Sequence, residues 1–228
     1  KCGIRIKGGN SRKLAQKSIR CYAREEYCGD NKFEAELFRK GHLPQRITFY
    51  SGGNDYYCKV KDPMIHELTE GRLSFATMRF IPCAVFLNGE YWGVYYISED
   101  YDDDYISDHY EVKKEDVVLI KAGELKEGDA ADLEDYETMR QFMIRADMSL
   151  PENYETACQI IDMNSYIDYF ALQTYVQRYE DWPRWNFALW KTRENEGSEY
   201  GDGRWRWMLY DLNSSGMDTI SFDYLIDV

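Results

Sequence analysis

The sequence predicts an α+β protein of two lobes, with a strand-rich lobe over residues 1–100 and a mainly helical lobe over residues 101–228. Two observations support this prediction. Apolar and polar residues alternate over short stretches of the first part, which is typical of half-buried strands. Apolar residues recur at helical spacing in the second part, most clearly over residues 166–176. We expect a cleft between the two lobes, because ligand sites often form where two parts of a fold meet.

Strands dominate the prediction for the first lobe. The alternating stretches are residues 3–7, 18–22 and 46–50. A helix is predicted from Asp62, whose side chain can cap the first turn, with Pro63 at the first helical position. An Asn-Gly pair at residues 88–89 separates two apolar runs within residues 80–97, which predicts a hairpin with a two-residue turn.

Helices dominate the prediction for the second lobe. They are predicted within the acidic stretch 98–110, over 136–145, from Pro151 onward and over 166–176. An apolar run over 117–120 is followed by a polar stretch over 123–135, for which no element is predicted. Residues 187–190 and 205–210 are predicted to be short strands that flank a polar turn.

The net charge of the chain indicates which classes of partner it can bind. Acidic side chains outnumber basic ones by 41 to 28, for a formal charge of −13. This field repels nucleic acid and anionic membranes but attracts a basic protein substrate. Acidity that merely keeps the protein soluble is an equally good explanation. Because the sequence has no run of 18 apolar residues, no membrane span is expected.

Six cysteines are present without a metal-binding spacing to each other or to histidine, so a structural zinc site is not expected. Cys21 and Cys28 could pair across a hairpin, and the sequence leaves the disulfide state open. The chain begins within a predicted strand and ends without a stop signal, so we expect it to be a fragment whose natural ends lie elsewhere. Its oligomeric state is also left open.

Asp181, Asn186 and Asp211 form the sharpest group of candidate functional residues. Asp181 precedes Asn186 by five residues, which is the spacing of the catalytic loop in protein kinases. Asp211 follows a predicted strand that returns the chain toward Asn186. Carboxylate and amide oxygens suit Mg²⁺. The alternative is that the first two are turn residues and that Asp211 ends a strand.

A second group of candidates lies in the first lobe and could bind nucleotide phosphates. The turn at residues 8–11 can approach a phosphate closely through its backbone N–H groups. It consists of Gly8, Gly9, Asn10 and Ser11. Lys17 is placed to pair with phosphates, and Glu67, on the predicted helix, could position it through an ion pair. The alternative is an ordinary hairpin turn with a solvated lysine.

Four segments of the chain resemble the CotH (spore coat protein H) kinase family, in the family's order and over nearly the whole length. They are residues 4–20, 85–99, 181–186 and 205–212. The resemblance implies an atypical protein-kinase-like fold and phosphorylation of Ser or Thr in spore-coat or other surface proteins with ATP and Mg²⁺, or with Mn²⁺. It also implies a secreted or surface-associated bacterial protein.

The resemblance also implies roles for individual residues. Asp181 would be the catalytic-loop aspartate, Asn186 and Asp211 would be the metal ligands, and Lys17 would be the phosphate-binding lysine. Residues 97–101 would form the hinge beside the adenine. The family commonly has a second aspartate where this chain has Asn213, which predicts weaker binding of a second metal ion. Two rival functions remain: a catalytically silent surface-binding module of the same fold, and an enzyme that transfers AMP.

Overall fold

A computed structural model of the chain describes residues 1–41, 43–55, 58–178, 185–195 and 197–215. These residues form nine strands in two antiparallel sheets together with six α-helices. The predicted mixture of helices and strands is thereby confirmed. The chain divides into two compact units. The first consists of Lys1–Leu68 and Met78–Asp100, and the second of Thr69–Thr77 and the described residues from Tyr101 onward.

The first unit is built on a five-stranded antiparallel sheet. Its strands are β1 (Gly3–Lys7), β2 (Ser18–Tyr22), β3 (Arg46–Tyr50), β4 (Phe80–Leu87) and β5 (Glu90–Ser98), in the order β1-β2-β3-β5-β4. The strands predicted from alternation are all present. β1 is an edge strand whose sheet partner is β2, and its Ile4 side chain is 70% exposed.

The β4–β5 hairpin has the turn that its Asn-Gly pair predicts. Asn88 and Gly89 both have positive φ, 53° and 85°, as a two-residue turn of type I′ requires. Farther along the hairpin the pairing slips at a bulge between Val85 and Phe86. Gly93 lies opposite Val85 with φ of 133°, a conformation that favours glycine.

Helix α2 (Lys61–Thr69) begins differently from the prediction. Asp62 lies inside the helix instead of capping it, and Pro63 is therefore the third helical residue. The cap comes from Asp55, whose carboxylate accepts hydrogen bonds from the amides of Val60 (2.9 Å) and Lys61 (3.0 Å). Asp62 instead lies 3.4 Å from His66 Nε2. A short helix α1 (Glu25–Cys28) ends at Gly29 in the left-handed conformation.

The second unit combines a four-stranded antiparallel sheet with four helices. Its strands are β6 (Val117–Lys121), β7 (Glu124–Glu127), β8 (Ala188–Thr192) and β9 (Arg206–Met208), in the order β7-β6-β8-β9. Its helices are α3 (Asp103–Tyr110), α4 (Ala130–Arg145), α5 (Pro151–Ile160) and α6 (Met163–Tyr175). The core lies on β6 and β8, where Leu119 and Trp190 are fully buried.

The polar stretch over 123–135 contains two elements that were not predicted. It forms β7 and the first turns of α4, so the helix expected at 136–145 begins at Ala130. Asp129 and Asp132 form a capping box that starts this helix. Each carboxylate accepts a hydrogen bond from the backbone amide of the other residue. Arg193 also binds Asp132 at 2.7 Å. In the described part of the chain, the helices are too short or too polar to cross a bilayer.

Candidate functional site

Asp211 lies directly after β9, in a conformation that is unusual for an aspartate. Its φ is 55°, in the left-handed region. The side-chain amide of Asn213 donates a hydrogen bond to Asp211 Oδ1. Asn213 is buried, while Asp211 is half-buried. The Asp211 carboxylate is therefore oriented by the residue that stands where the CotH-like pattern has a second acid.

The strand register brings Asn186 and Asp211 to the same end of one strand pair. β8 and β9 are antiparallel, with Ala188 opposite Met208. Asn186 lies two residues before Ala188, and Asp211 lies three residues after Met208. Both residues therefore leave the sheet at the same end. Asn186 is half-buried there.

Arg178 fastens the segment after α6 to the segment that carries Asp211. Its side chain is fully buried, and Nη1 donates a hydrogen bond of 3.2 Å to the carbonyl oxygen of Tyr210. Its backbone also forms an antiparallel bridge with Ser215. Arg178 thus lies beside residues 210–215. Asp181 itself lies outside the described residues.

Lys121 is a cation beside Tyr210, the residue that precedes Asp211, and its position was not predicted. Its Nζ donates a hydrogen bond of 2.8 Å to the carbonyl oxygen of Tyr101 and lies 5.6 Å from the centre of the Tyr210 ring. The Tyr101 hydroxyl in turn lies 2.8 Å from the carbonyl oxygen of Leu209. The signal in the sequence was a lysine that ends the buried run of β6, which pairs with β8.

The predicted phosphate loop at residues 8–11 is a tight turn in the first unit. Gly8 has φ of 116°, and the position of a Cβ on this residue is taken by the Ser11 hydroxyl. Only glycine fits there without displacing Ser11. Gly9 and Asn10 are exposed, and Asn10–Lys13 forms one turn of 3-10 helix.

Lys17 and Glu67 do not form the ion pair that the sequence suggested. Lys17 Nζ donates a hydrogen bond of 2.7 Å to the carbonyl oxygen of Leu14. Glu67 is exposed on α2, and no ion pair between it and Lys17 exists among the described residues. The predicted ion pair requires a lysine on a strand beneath the helix, whereas Lys17 lies just before β2.

An ionic cluster on the first sheet was also missed. Lys7 of β1 and Arg20 of β2 both form an ion pair with Asp100, just beyond β5, at 3.3 Å for Lys7 Nζ. Arg20 Nε also donates a hydrogen bond of 3.2 Å to the Thr48 hydroxyl. All three charged side chains are largely buried, with 12 to 28% of their surface exposed. Alternation along β1 and β2 hinted at a shared face, but Asp100 is about 80 residues away from Arg20 in sequence.

Comparison with known proteins identifies the family. No curated protein matches the sequence. The family model described as CotH kinase protein matches residues 4–224. This match contains Asn186, Asp211 and the cluster around Asp100, and it covers nearly the whole chain. The chain belongs to the CotH kinase family.

Proposed function

We propose that this protein is an ATP- and Mg²⁺-dependent protein kinase that transfers the γ-phosphate to Ser or Thr hydroxyls of secreted, spore-coat or other surface proteins. The single observation that best supports the proposal is that Asn186 and Asp211 leave the same end of the β8–β9 pair. The match to the CotH kinase family favours phosphoryl transfer as the use of these two residues. Mn²⁺ could replace Mg²⁺ at the same oxygen ligands.

The residues at this end of the sheet fit a hard divalent cation. Asp211 supplies a carboxylate and Asn186 an amide oxygen, which are ligands that Mg²⁺ accepts together with phosphates and water. The hydrogen bond from Asn213 holds Asp211 Oδ1, so the carboxylate presents its other oxygen in a fixed direction. When bound with ATP, Mg²⁺ neutralises charge on the phosphate oxygens.

Asp181 has the proposed role of orienting the acceptor hydroxyl and taking its proton. The acceptor oxygen forms a bond to the γ-phosphorus while the bond to the bridging oxygen of ADP breaks. The proton passes to the Asp181 carboxylate, and ADP leaves with the bonding electrons. Catalysis then rests on positioning and on charge stabilisation more than on covalent chemistry. Arg178, three residues before Asp181 in the sequence, is held by its hydrogen bond to the Tyr210 carbonyl.

The proposed phosphate ligands lie in the first unit. Gly8, Gly9, Asn10 and Ser11 offer a tight turn, and Lys17 would exchange the Leu14 carbonyl for a phosphate oxygen. We add Arg20 and Lys7, because Asp100 holds both cations in place on the strand pair and guanidinium groups bind phosphate well. Glu67 is not part of the proposal, since its exposed carboxylate is not paired with Lys17.

Phosphoryl transfer to a basic, Ser-rich protein tests the proposal directly. The chain is incubated with Mg²⁺ and ATP labelled at the γ-phosphate, and label on the acceptor is counted. Asp181→Asn should lose at least a hundredfold in rate. Glu155→Gln, an exposed position on α5, is the matched control and should keep the rate. If wild type binds Mg-ATP but labels neither the acceptor nor itself, the kinase proposal fails. The mass of the product separates phosphate from AMP transfer.

A silent surface-binding module is the second candidate, and Asn213 favours it. An amide in place of the second carboxylate leaves fewer charges for metal ions, and its hydrogen bond occupies one oxygen of Asp211. Thermal unfolding with and without Mg-ATP separates the two functions, because a ligand of the native state must raise the unfolding temperature. A midpoint that does not change at millimolar Mg-ATP supports the binding module.

A further inference from the structure

Cys2, just before the edge strand β1, lies near Cys21 on the neighbouring strand β2. In the β1–β2 pair, Ile4 lies opposite Cys21. Cys2 precedes Ile4 by two residues, and side chains two apart along a strand point to the same face. Cys2 and Cys21 therefore project from one face of the strand pair, as diagonal neighbours across the two strands.

The two thiols are close enough for Cys2 to affect the pKa of Cys21. Burial raises the pKa of the Cys21 thiol, and the neighbouring Cys2 raises it further through its charge and a side-chain hydrogen bond, to about 11. Both side chains are half-buried and neither is in a disulfide. Small reagents can therefore reach the pair. Other described thiols lie elsewhere: Cys58 is exposed before α2, Cys83 is on β4 at the opposite edge of this sheet, and Cys158 is on α5.

We propose that Cys2 and Cys21 are a redox-modification site that closes to an intramolecular disulfide when the protein meets a small organic disulfide. The thiolate of one cysteine attacks the reagent, forms a mixed disulfide and releases one thiol. The thiolate of the other cysteine then displaces the second thiol. Two electrons and two protons pass from the cysteine pair to the reagent, which is reduced to two thiols. The sulfur–sulfur bond forms between side chains that are already neighbours.

The bond would act on the edge of the sheet. It would close a ring that contains β1, β2 and the whole turn between them, and β1 has its sheet pairing with β2. A cross-link of this loop length reduces the freedom of the unfolded chain. We expect the midpoint of thermal unfolding to rise by about 5 °C on oxidation, because disulfides of this kind stabilise domains of this size by such an amount.

Disulfide mapping of the folded chain tests this proposal. The reduced protein is incubated with a mixture of oxidised and reduced glutathione, its free thiols are blocked, and peptides are identified by mass without reduction. We expect a peptide pair linked through Cys2 and Cys21 and a loss of two titratable thiols. Cys2→Ser and Cys21→Ser should each abolish that loss, whereas Cys83→Ser, the matched control, should keep it.

Any other product overturns the proposal. A link between Cys21 and Cys28, glutathione adducts without a cross-link, or no reaction at all would each show that the pair does not close. The mapping of the wild-type chain decides the matter even if a serine variant fails to fold. The result is also independent of kinase activity, so it cannot be confused with failure of the proposed function.

Discussion

The side-chain amide of Asn213 donates a hydrogen bond to the carboxylate of Asp211. An aspartate at position 213 could not donate this bond when ionised, and two adjacent carboxylates would repel each other. The chain thus has an oriented single carboxylate where the CotH-like pattern has two. A second carboxylate at position 213 should therefore increase the affinity for metal and decrease the stability of the metal-free protein.

Asn213→Asp should bind Mg²⁺ about tenfold more tightly and should be less stable without metal. The added charge attracts the cation, whereas in its absence the like charges cost about 1 kcal/mol. Titration calorimetry with Mg²⁺ and ATP measures the affinity, and urea unfolding in a chelator measures the stability. Asn213→Ala, which removes the hydrogen bond without adding charge, is the control. Equal Mg²⁺ affinity in the aspartate and alanine variants would contradict the prediction.

Arg178→Met should destabilise the second unit by about 3 kcal/mol. The side chain is fully buried, and the substitution removes the hydrogen bond that Arg178 donates to the Tyr210 carbonyl. Urea unfolding followed by tryptophan fluorescence measures the loss. Arg140→Met, a half-exposed position on α4, should change stability by less than about 0.5 kcal/mol. Similar losses of unfolding free energy in both variants would contradict the prediction that Arg178 stabilises the second unit.

Arg20→Gln should weaken Mg-ATP binding about tenfold. The substitution removes a guanidinium that Asp100 holds on the first sheet, and a charge-assisted bond to phosphate has about this value. The shift of the unfolding temperature at increasing Mg-ATP reports the affinity. Lys13→Gln, an exposed lysine in the neighbouring turn, should bind as wild type does. An unchanged affinity in Arg20→Gln would exclude this residue from the phosphate site.

Gly8→Ala should cost more stability than Gly29→Ala. Both glycines have positive φ, so each substitution introduces backbone strain of about 1 kcal/mol. At Gly8 the new methyl group would also meet the Ser11 hydroxyl, whereas the space at Gly29 is open. We expect a further 1–2 kcal/mol, about what strained packing costs, in urea unfolding. The double change Gly8→Ala with Ser11→Ala should recover part of it, and no recovery would contradict the steric explanation.

Asp202→Asn should make the free energy of unfolding less dependent on pH at acid pH. Burial by itself would raise the pKa of the Asp202 carboxyl, but hydrogen bonds from Arg206 and Arg204 lower it to about 2. A depressed pKa stabilises the folded state fully above pH of about 4, and this contribution is lost as the pH falls toward 2. Screening by solvent limits it to on the order of 1 kcal/mol. Urea unfolding should show the stabilities of the two proteins converging as the pH falls from about 4 toward 2.

Local patterns in the sequence predicted most of the strands and the hairpin, because their determinants lie within a few residues. The Asn88–Gly89 turn is one example. The start of α2 could not be predicted in this way, because the cap is Asp55, six residues before Lys61 in the sequence. β7 was missed because its side chains are mostly polar, as suits an edge strand.

The part of the candidate site that depends on the pairing of neighbouring strands could be predicted from the sequence. The order of β8 and β9 along the chain already implied that Asn186 and Asp211 would leave one end of the pair. The cluster of Lys7, Arg20 and Asp100 could not be foreseen, since Asp100, just beyond β5, is 80 residues away in sequence from Arg20 on β2. Lys17 was chosen by its distance from a glycine turn, and only coordinates show its bond to Leu14.

The register of β8 and β9 has a consequence for how the protein tolerates change. The connection between these strands leaves the sheet at Thr192 and returns at Arg206, at the end opposite Asn186 and Asp211. Insertions at the exposed residues 194–195 and 197–198 of that connection should therefore leave the spacing of the two ligands unchanged, provided that Ala188 stays opposite Met208. Substrate-recognition sequences could be grafted or exchanged there, in evolution or by engineering, without retuning the chemistry at the other end.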